Sequence, residues 1–206
     1  MAEADKQRGN AEKRERILEG ALKAFAKKGF YNTKVSEIAG EAGVADGTIY
    51  LYFKNKDDLL ISLFEDRMEW VNDRLRSELA GVDGGVLEKL QAFVELHFSL
   101  AVENRDLAEF ITVELRQSAK FVKEYKNPKF ADYLRILQQL IEQGQEQGVF
   151  RRDLDSRLVS RAIFGALDEV LLQLTLSRSA PANVISESNQ ISQLLIDGLI
   201  VRPTSS

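Results

Sequence analysis

The chain has no cysteine and a single histidine, His97. Without cysteine there are no disulfides, no thiolate nucleophile and no cysteine-based metal site. One imidazole leaves no histidine cluster either. No run of about 18 apolar residues is present to span a bilayer. The charged amino end also lacks the apolar core of a signal peptide. A cytoplasmic protein without membrane contact is therefore expected. No glycine-rich phosphate loop follows a strand and no metal-ligand spacing occurs, so the sequence gives an enzyme reading little support and calls for no cofactor. Only three prolines occur, and no stretch alternates apolar and polar residues as a half-buried strand does.

What is present is an ordinary soluble composition, with 44% hydrophobic and 29% charged residues over 206 positions. That length fits one large or two small domains with a buried core. The net charge of −4 is unevenly placed: residues 1–56 carry +3 and the remainder −7. A local basic face is all that phosphate contacts require, and an acidic remainder discourages non-specific binding elsewhere.

The first ten residues are polar and read as loose, with Lys6 and Arg8 able to reach a phosphate backbone. From Ala11 the pattern is helical: Ile17, Leu18, Ala21, Leu22 and Phe25 recur at three- and four-residue intervals, and Gly29 stops them. Thr33 is the expected N-cap of a second helix carrying Ile38, Ala39 and Ala42, which Gly43 closes. A third short helix is predicted from about Asp46 to Phe53, with Ile49 and Phe53 facing inward. Gly47, Thr48, Tyr50 and Leu51 are left facing outward. Two short helices joined by a glycine turn are the sequence form of a helix-turn-helix, whose second helix enters the major groove. Thr48 can bond a phosphate or touch a thymine methyl, and Tyr50 and Tyr52 can donate to phosphates. The full candidate DNA-contacting set is Thr33, Lys34, Ala45, Gly47, Thr48, Tyr50, Leu51, Tyr52, Lys54 and Lys56. A long fourth helix follows, from about Lys56 to Leu79, with Asn55 as its expected N-cap. It is long enough to carry motion to the reader.

The run GFYNTKVSEIAGEAGVADGTIYLYFKNKDDLL resembles the N-terminal domain of the TetR family of bacterial repressors. Gly29-Phe30, Thr33, Ile38-Ala39, Ala42-Gly43-Val44, Gly47-Thr48, Tyr50, Tyr52-Phe53, Lys56 and Leu59 carry the likeness in order. Ala45 departs from it, standing where members often have a capping serine, and Asp46 is the candidate replacement cap. The expected architecture is all-α with about nine helices: a DNA-binding domain at 1–56 and a ligand-binding and dimerisation domain at 57–206.

Beyond the fourth helix the chain is helical by periodicity, with breaks at Gly81 to Gly85, Pro128, Gly144 to Gly148 and Pro181. The helix from about Asp155 to Leu176 is apolar nearly all round. Leu158, Ala162, Ala166, Val170 and Leu174 form one line, and Val159, Ile163, Leu167 and Leu171 another. Such a helix must be covered on both sides, which a small bundle achieves by packing on a second copy. A homodimer also suits a reader that places two short helices in successive major grooves. The TetR resemblance implies the same interface through the last two helices.

Polar residues interrupt apolar stripes at His97, Glu114 and Asp168. On the residues alone each is either a satisfied core group or a ligand contact, and Arg105 and Arg116 are either surface charges or anion partners. Within the family, HFSL at His97, ELRQS at Glu114 and IFGALDE at Ile163 resemble the acyl-CoA-responsive repressors of fatty-acid degradation. The resemblance implies a dimer that holds operator DNA until a long-chain acyl-CoA enters the helical core. An acyl-CoA needs an apolar channel and a cationic mouth. Phe93, Phe98, Leu107, Phe110, Ile111, Leu137, Leu140 and Phe164 are the channel candidates. Arg105, Arg116, Lys120 and Lys123 are the mouth candidates, with His97, Glu114 and Asp168 as polar contacts. Two alternatives stay open: a regulator of drug efflux sensing varied hydrophobic compounds, and an acyl-CoA-binding protein without DNA binding.

Overall fold

The computed structural model describes residues 2–113, 115, 125–176 and 184–201. They form nine helices: α1 (Ala2–Lys28), α2 (Val35–Ala42), α3 (Asp46–Ile49), α4 (Lys56–Ala80), α5 (Val86–Glu103), α6 (Arg105–Thr112), α7 (Pro128–Glu146), α8 (Ser156–Leu176) and α9 (Val184–Leu199). Among the described residues there is no strand, only an isolated bridge between Phe150 and Ile200. The all-α expectation is met. The chain divides into two compact units, Met1–Arg67 with Arg105–Lys126, and Met68–Asn104 with Asn127–Ser206. Contacts thus group residues differently from a functional boundary after Lys56, because α6 joins the first unit and α4 gives one half to each.

In the first unit α1 packs closely on α2. Gly20 permits this, since a Cβ there would lie 2.9 Å from the Ala42 nitrogen and 3.0 Å from the Ile38 oxygen. Ile17, Leu18, Phe25, Ile38, Ala39, Ile49, Leu59, Leu60 and Phe110 are all within 2% of complete burial, and the Phe25 and Phe110 rings stack at 6.2 Å. Gly43 ends α2 in the left-handed region (φ 64°). Its N–H reaches the Gly40 carbonyl at 3.3 Å while Val44 N–H reaches that of Ala39 at 3.0 Å, which satisfies carbonyls the helix end would leave open. The start of α4 is fixed reciprocally: Asn55 Oδ1 accepts from Asp58 N at 2.9 Å and Asp58 Oδ2 accepts from Lys54 N at 2.8 Å. Arg67 ties α4 to α1 through Glu15 at 2.7 Å and Glu19 at 2.9 Å.

Four local expectations are corrected. Residues expected to be loose before Ala11 are helical from Ala2; alanine, glutamate, lysine and glutamine favour helix, and Arg8 pairs with Glu12 one turn on at 3.2 Å. Thr33 does not cap α2. It is 2% exposed and its hydroxyl donates to the carbonyls of Gly29 (2.7 Å) and Ala24 (3.0 Å), while Lys34 is the N-cap residue and its N–H donates to Glu37 Oε2. Asp46 lies inside α3 rather than capping it. Ala45 holds the N-cap position with extended backbone, its carbonyl accepting from Thr48 N at 2.8 Å and no side chain closing the end. The α-helical part of α3 ends at Ile49, and 50–52 continue as a turn.

In the second unit α5, α7, α8 and α9 surround Phe93, Val94, Phe98, Leu137, Ile141, Phe150 and Leu167. Asn127 starts α7, its Oδ1 accepting from Phe130 N at 3.2 Å ahead of Pro128 at the first helical position. At the other end the chain turns back through Gly148 (φ 72°) and seats the fully buried Phe150 ring on Gly144. Arg151 N to Leu199 O at 2.9 Å and Val201 N to Val149 O at 3.1 Å then tie the end of α9 to this turn. A Cβ on Gly144 would sit 2.0 Å from Phe150 Cδ2. Gly144→Ala is therefore expected to cost about 2 kcal/mol and lower the Tm by roughly 6 °C, measured by circular dichroism; an unchanged Tm would show that the ring has room to swing aside.

Candidate functional site

The reader is built by inward anchors. Ile49 and Phe53 are 2% and 3% exposed, so the remaining residues of this stretch must face out. Tyr50 and Leu51 are 57% and 82% exposed, and Ala45, Gly47, Lys34 and Lys54 are exposed beside them. No heavy atom comes within 4 Å of where a Gly47 Cβ would stand, so backbone approach is open there. Thr48 and Tyr52 are half-buried, and the Tyr52 hydroxyl donates to the Asn10 side-chain oxygen on α1.

Two residues of the predicted set face other tasks. The Thr33 hydroxyl points inward, as described above. The Lys56 ammonium donates to the carbonyls of Phe30 (2.7 Å), Thr33 (3.0 Å) and Tyr31 (3.3 Å) and lies 4.6 Å from the Phe30 ring centroid. It closes the carbonyl end of the α1–α2 turn. Lys28 pairs with Glu37, and this partner holds the Glu37 carboxyl below its ordinary range. A basic charge beside the reader is thereby partly neutralised.

The second unit contains a buried polar spot among aromatic rings. His97 of α5 has its Nδ1 2.7 Å from the Tyr133 hydroxyl of α7. Its Nε2 is buried, and the Leu167 backbone is a looser hydrogen-bonding neighbour of the ring that falls short of strict hydrogen-bond geometry at this atom. Burial pushes the imidazole down to about 4, against the opposing pull of the Leu167 backbone on α8, so the ring is neutral near pH 7. Burial, with Asp168 adding to it, pushes the Tyr133 phenol above its ordinary range and keeps it protonated. Around this pair, Phe98 lies 5.3 Å from the imidazole, Phe93 and Phe164 lie 5.4 and 5.7 Å from the Tyr133 ring, and Phe130 meets Phe164 edge-on at 4.6 Å.

The structure thus brings together Phe93, His97, Phe98, Phe164 and Asp168 of the predicted ligand set. Leu137 is fully buried on α7 in the same unit. Leu107, Phe110 and Ile111 lie on α6 in the first unit; Leu107 and Phe110 are buried there, Ile111 is half-buried and Arg105 is exposed. Glu114, Arg116, Lys120 and Lys123 lie outside the described residues. Tyr133 and Phe130 were missed by sequence reasoning. The signal for Tyr133 was His97 itself, since a polar ring in an apolar stripe requires a polar mate. Among the described residues no group of three His, Cys, Asp or Glu side chains is placed to hold a metal ion, and no helix is long and apolar enough to cross a membrane.

Two family models match consecutive parts of the chain: "Bacterial regulatory proteins, tetR family" over residues 17–63, and "YsiA-like protein, C-terminal region" over residues 64–198. The chain is 36% identical to a fatty acid metabolism regulator protein of Bacillus subtilis, covering 89% of this chain and 93% of that one. Among solved structures it is similar to the fatty acid degradation regulator FadR of Bacillus halodurans, with a TM-score of 0.81 and 37% identity over 91% of this chain and 99% of that one. FadR of Bacillus subtilis in complex with stearoyl-CoA gives the same TM-score of 0.81, at 36% identity over 89% of this chain and 97% of that one. Reader geometry, helix order and sequence agree: the chain belongs to the TetR family of bacterial regulatory proteins.

Proposed function

We propose that the chain acts in the cytoplasm as a homodimeric repressor of fatty-acid degradation genes, binding operator DNA through α3 and leaving it when a long-chain acyl-CoA binds. The observation that carries this reading is the pairing in one chain of an exposed α3 face, Gly47, Tyr50 and Leu51, with an aromatic-walled core that buries the Nε2 of a neutral imidazole. The effector is suggested by the stearoyl-CoA held by the similar Bacillus subtilis regulator.

Three parts have physical roles. Exposed lysines and hydroxyls fix the reader on phosphates while α3 meets base edges. The acyl tail lies among the rings of α5, α7 and α8, and the phosphates of the CoA call for basic partners. The long helix α4 begins at the reader's exit, where Asn55 and Asp58 cap it, and runs on to Ala80. A displacement of its second half is therefore transmitted to the first. The effector acts only through a difference in affinity between the DNA-bound and released states.

The dimer follows from α8. Ser160, Ile163, Leu167 and Leu171 turn into the bundle, while Leu158 is 68% exposed and Ala162 and Ala166 are also exposed. On α9, Leu194 is 73% exposed. These form the face left for a second copy.

The test is a gel-shift titration on an operator duplex selected in vitro by the full-length chain. Saturating stearoyl-CoA is expected to weaken binding roughly 100-fold, whereas stearate or CoA alone changes nothing. Indifference to all three removes the acyl-CoA assignment, and release by assorted planar or cationic drugs instead supports an efflux regulator.

A further inference from the structure

An amide interrupts the apolar stripe of α4. Asn72 is 1% exposed, and Met68 four residues before it and Leu75 three residues after it are buried on the same side. Its Nδ2 donates to the Lys129 carbonyl in the first turn of α7 at 2.9 Å, while its Oδ1 is buried and meets no donor among the described residues. An amide with one end unmet is a poor choice for stability, because a leucine of similar volume would leave nothing unsatisfied at this position. What the amide adds is direction. A hydrogen bond fixes one register of α4 against α7, which an apolar contact leaves free to slide.

The same joint is held at further points. The Lys129 ammonium reaches Glu69 at 3.0 Å, one turn earlier on α4, and the Tyr125 hydroxyl donates to Glu65 a turn before that. Glu65, Glu69 and Asn72 recur at spacings of four and three, so they share one face of α4. The start of α7 is stiff, since Asn127 caps it and Pro128 takes the first helical position. Phe130, the residue after Lys129, meets Phe164 at 4.6 Å and stacks on Tyr133 at 6.2 Å. One turn of α7 therefore carries both a wall of the aromatic core and the carbonyl that Asn72 holds. We propose that Asn72 is a positioning residue that couples effector to reader: an acyl chain that displaces Phe130 and Tyr133 draws the Lys129 carbonyl with them, and α4 follows through the amide. This rests on the acyl-CoA reading above.

The experiment measures the coupling factor, the ratio of operator Kd with saturating stearoyl-CoA to that without it, for the full-length parent and for Asn72→Leu. The parent is expected to give roughly 100. Asn72→Leu is expected to keep its operator Kd without effector, and its stearoyl-CoA Kd without DNA, within about threefold of the parent, with a Tm no lower. Its coupling factor is expected to fall below about 10, because each site still binds while the joint between them slips. A coupling factor within about twofold of the parent's overturns the proposal. Loss of only one of the two separate affinities also overturns it, since Asn72 then belongs to that binding site and not to the joint. Loss of both with a lowered Tm marks a failed fold, and Glu69→Ala then decides, because it releases the exposed side of the joint without leaving a hole. There a coupling factor reduced about two- to fivefold supports the proposal, and an unchanged one overturns it. A parent whose operator affinity does not respond to stearoyl-CoA removes the acyl-CoA reading itself, and this inference with it.

Discussion

Tyr50→Ala is expected to weaken operator binding by about two orders of magnitude while leaving the Tm, the dimer and acyl-CoA binding unchanged. The side chain is 57% exposed at the end of α3 and the inward anchors are its neighbours Ile49 and Phe53, so its removal leaves no hole. Its loss removes a contact worth about 1 to 2 kcal/mol, and in a two-fold dimer the contact occurs twice, which together approach about 3 kcal/mol. Fluorescence anisotropy on the selected operator, with a thermal melt as control, measures both halves. If the variant binds as tightly as the parent, α3 does not meet the DNA through this face.

Ala166→Arg is expected to yield a protein that sediments as a monomer at micromolar concentration and has lost more than about 100-fold in operator affinity. Ala166 is exposed on α8 in line with Ala162 and Leu158, on the flank beside the buried line Ile163, Leu167 and Leu171. In a two-fold interface each arginine meets the corresponding face of the other copy, where its charge loses water and gains no anion. Without the dimer, two readers no longer bind as one unit, and the gain from linked half-sites disappears. A dimer that survives this substitution places the interface elsewhere.

Legibility in the sequence follows the range of the physics involved. The buried side of α4, Leu59, Leu60, Leu63, Phe64, Met68, Val71 and Leu75, was readable because helical periodicity is local, and all seven are buried. Ile49 and Phe53 were readable for the same reason. Asn55 was readable as a cap because its partner is three residues away. Thr33 was not, because its hydroxyl is drawn to the Ala24 and Gly29 carbonyls at the end of α1, acceptors that a local capping rule does not consider. Lys56 read as a phosphate contact because charge beside a reader suggests it, yet the fold brings three carbonyls from 23 to 26 residues earlier to the ammonium. Tyr133 lies 36 residues from His97, and only the packing of α5 against α7 joins them. The resemblance to TetR repressors of fatty-acid degradation supplied what spacing did not, namely the acyl-CoA class of effector.

The most direct measurement of the central claim is reciprocity. Stearoyl-CoA affinity is determined by calorimetry on the free dimer and on the dimer saturated with its selected operator. If the effector releases DNA by preferring the unbound state, its Kd must be higher on the DNA complex by the same factor, roughly 100, by which it weakens operator binding. Equal Kd values in the two states would contradict the account, because a ligand indifferent to DNA cannot remove the protein from it.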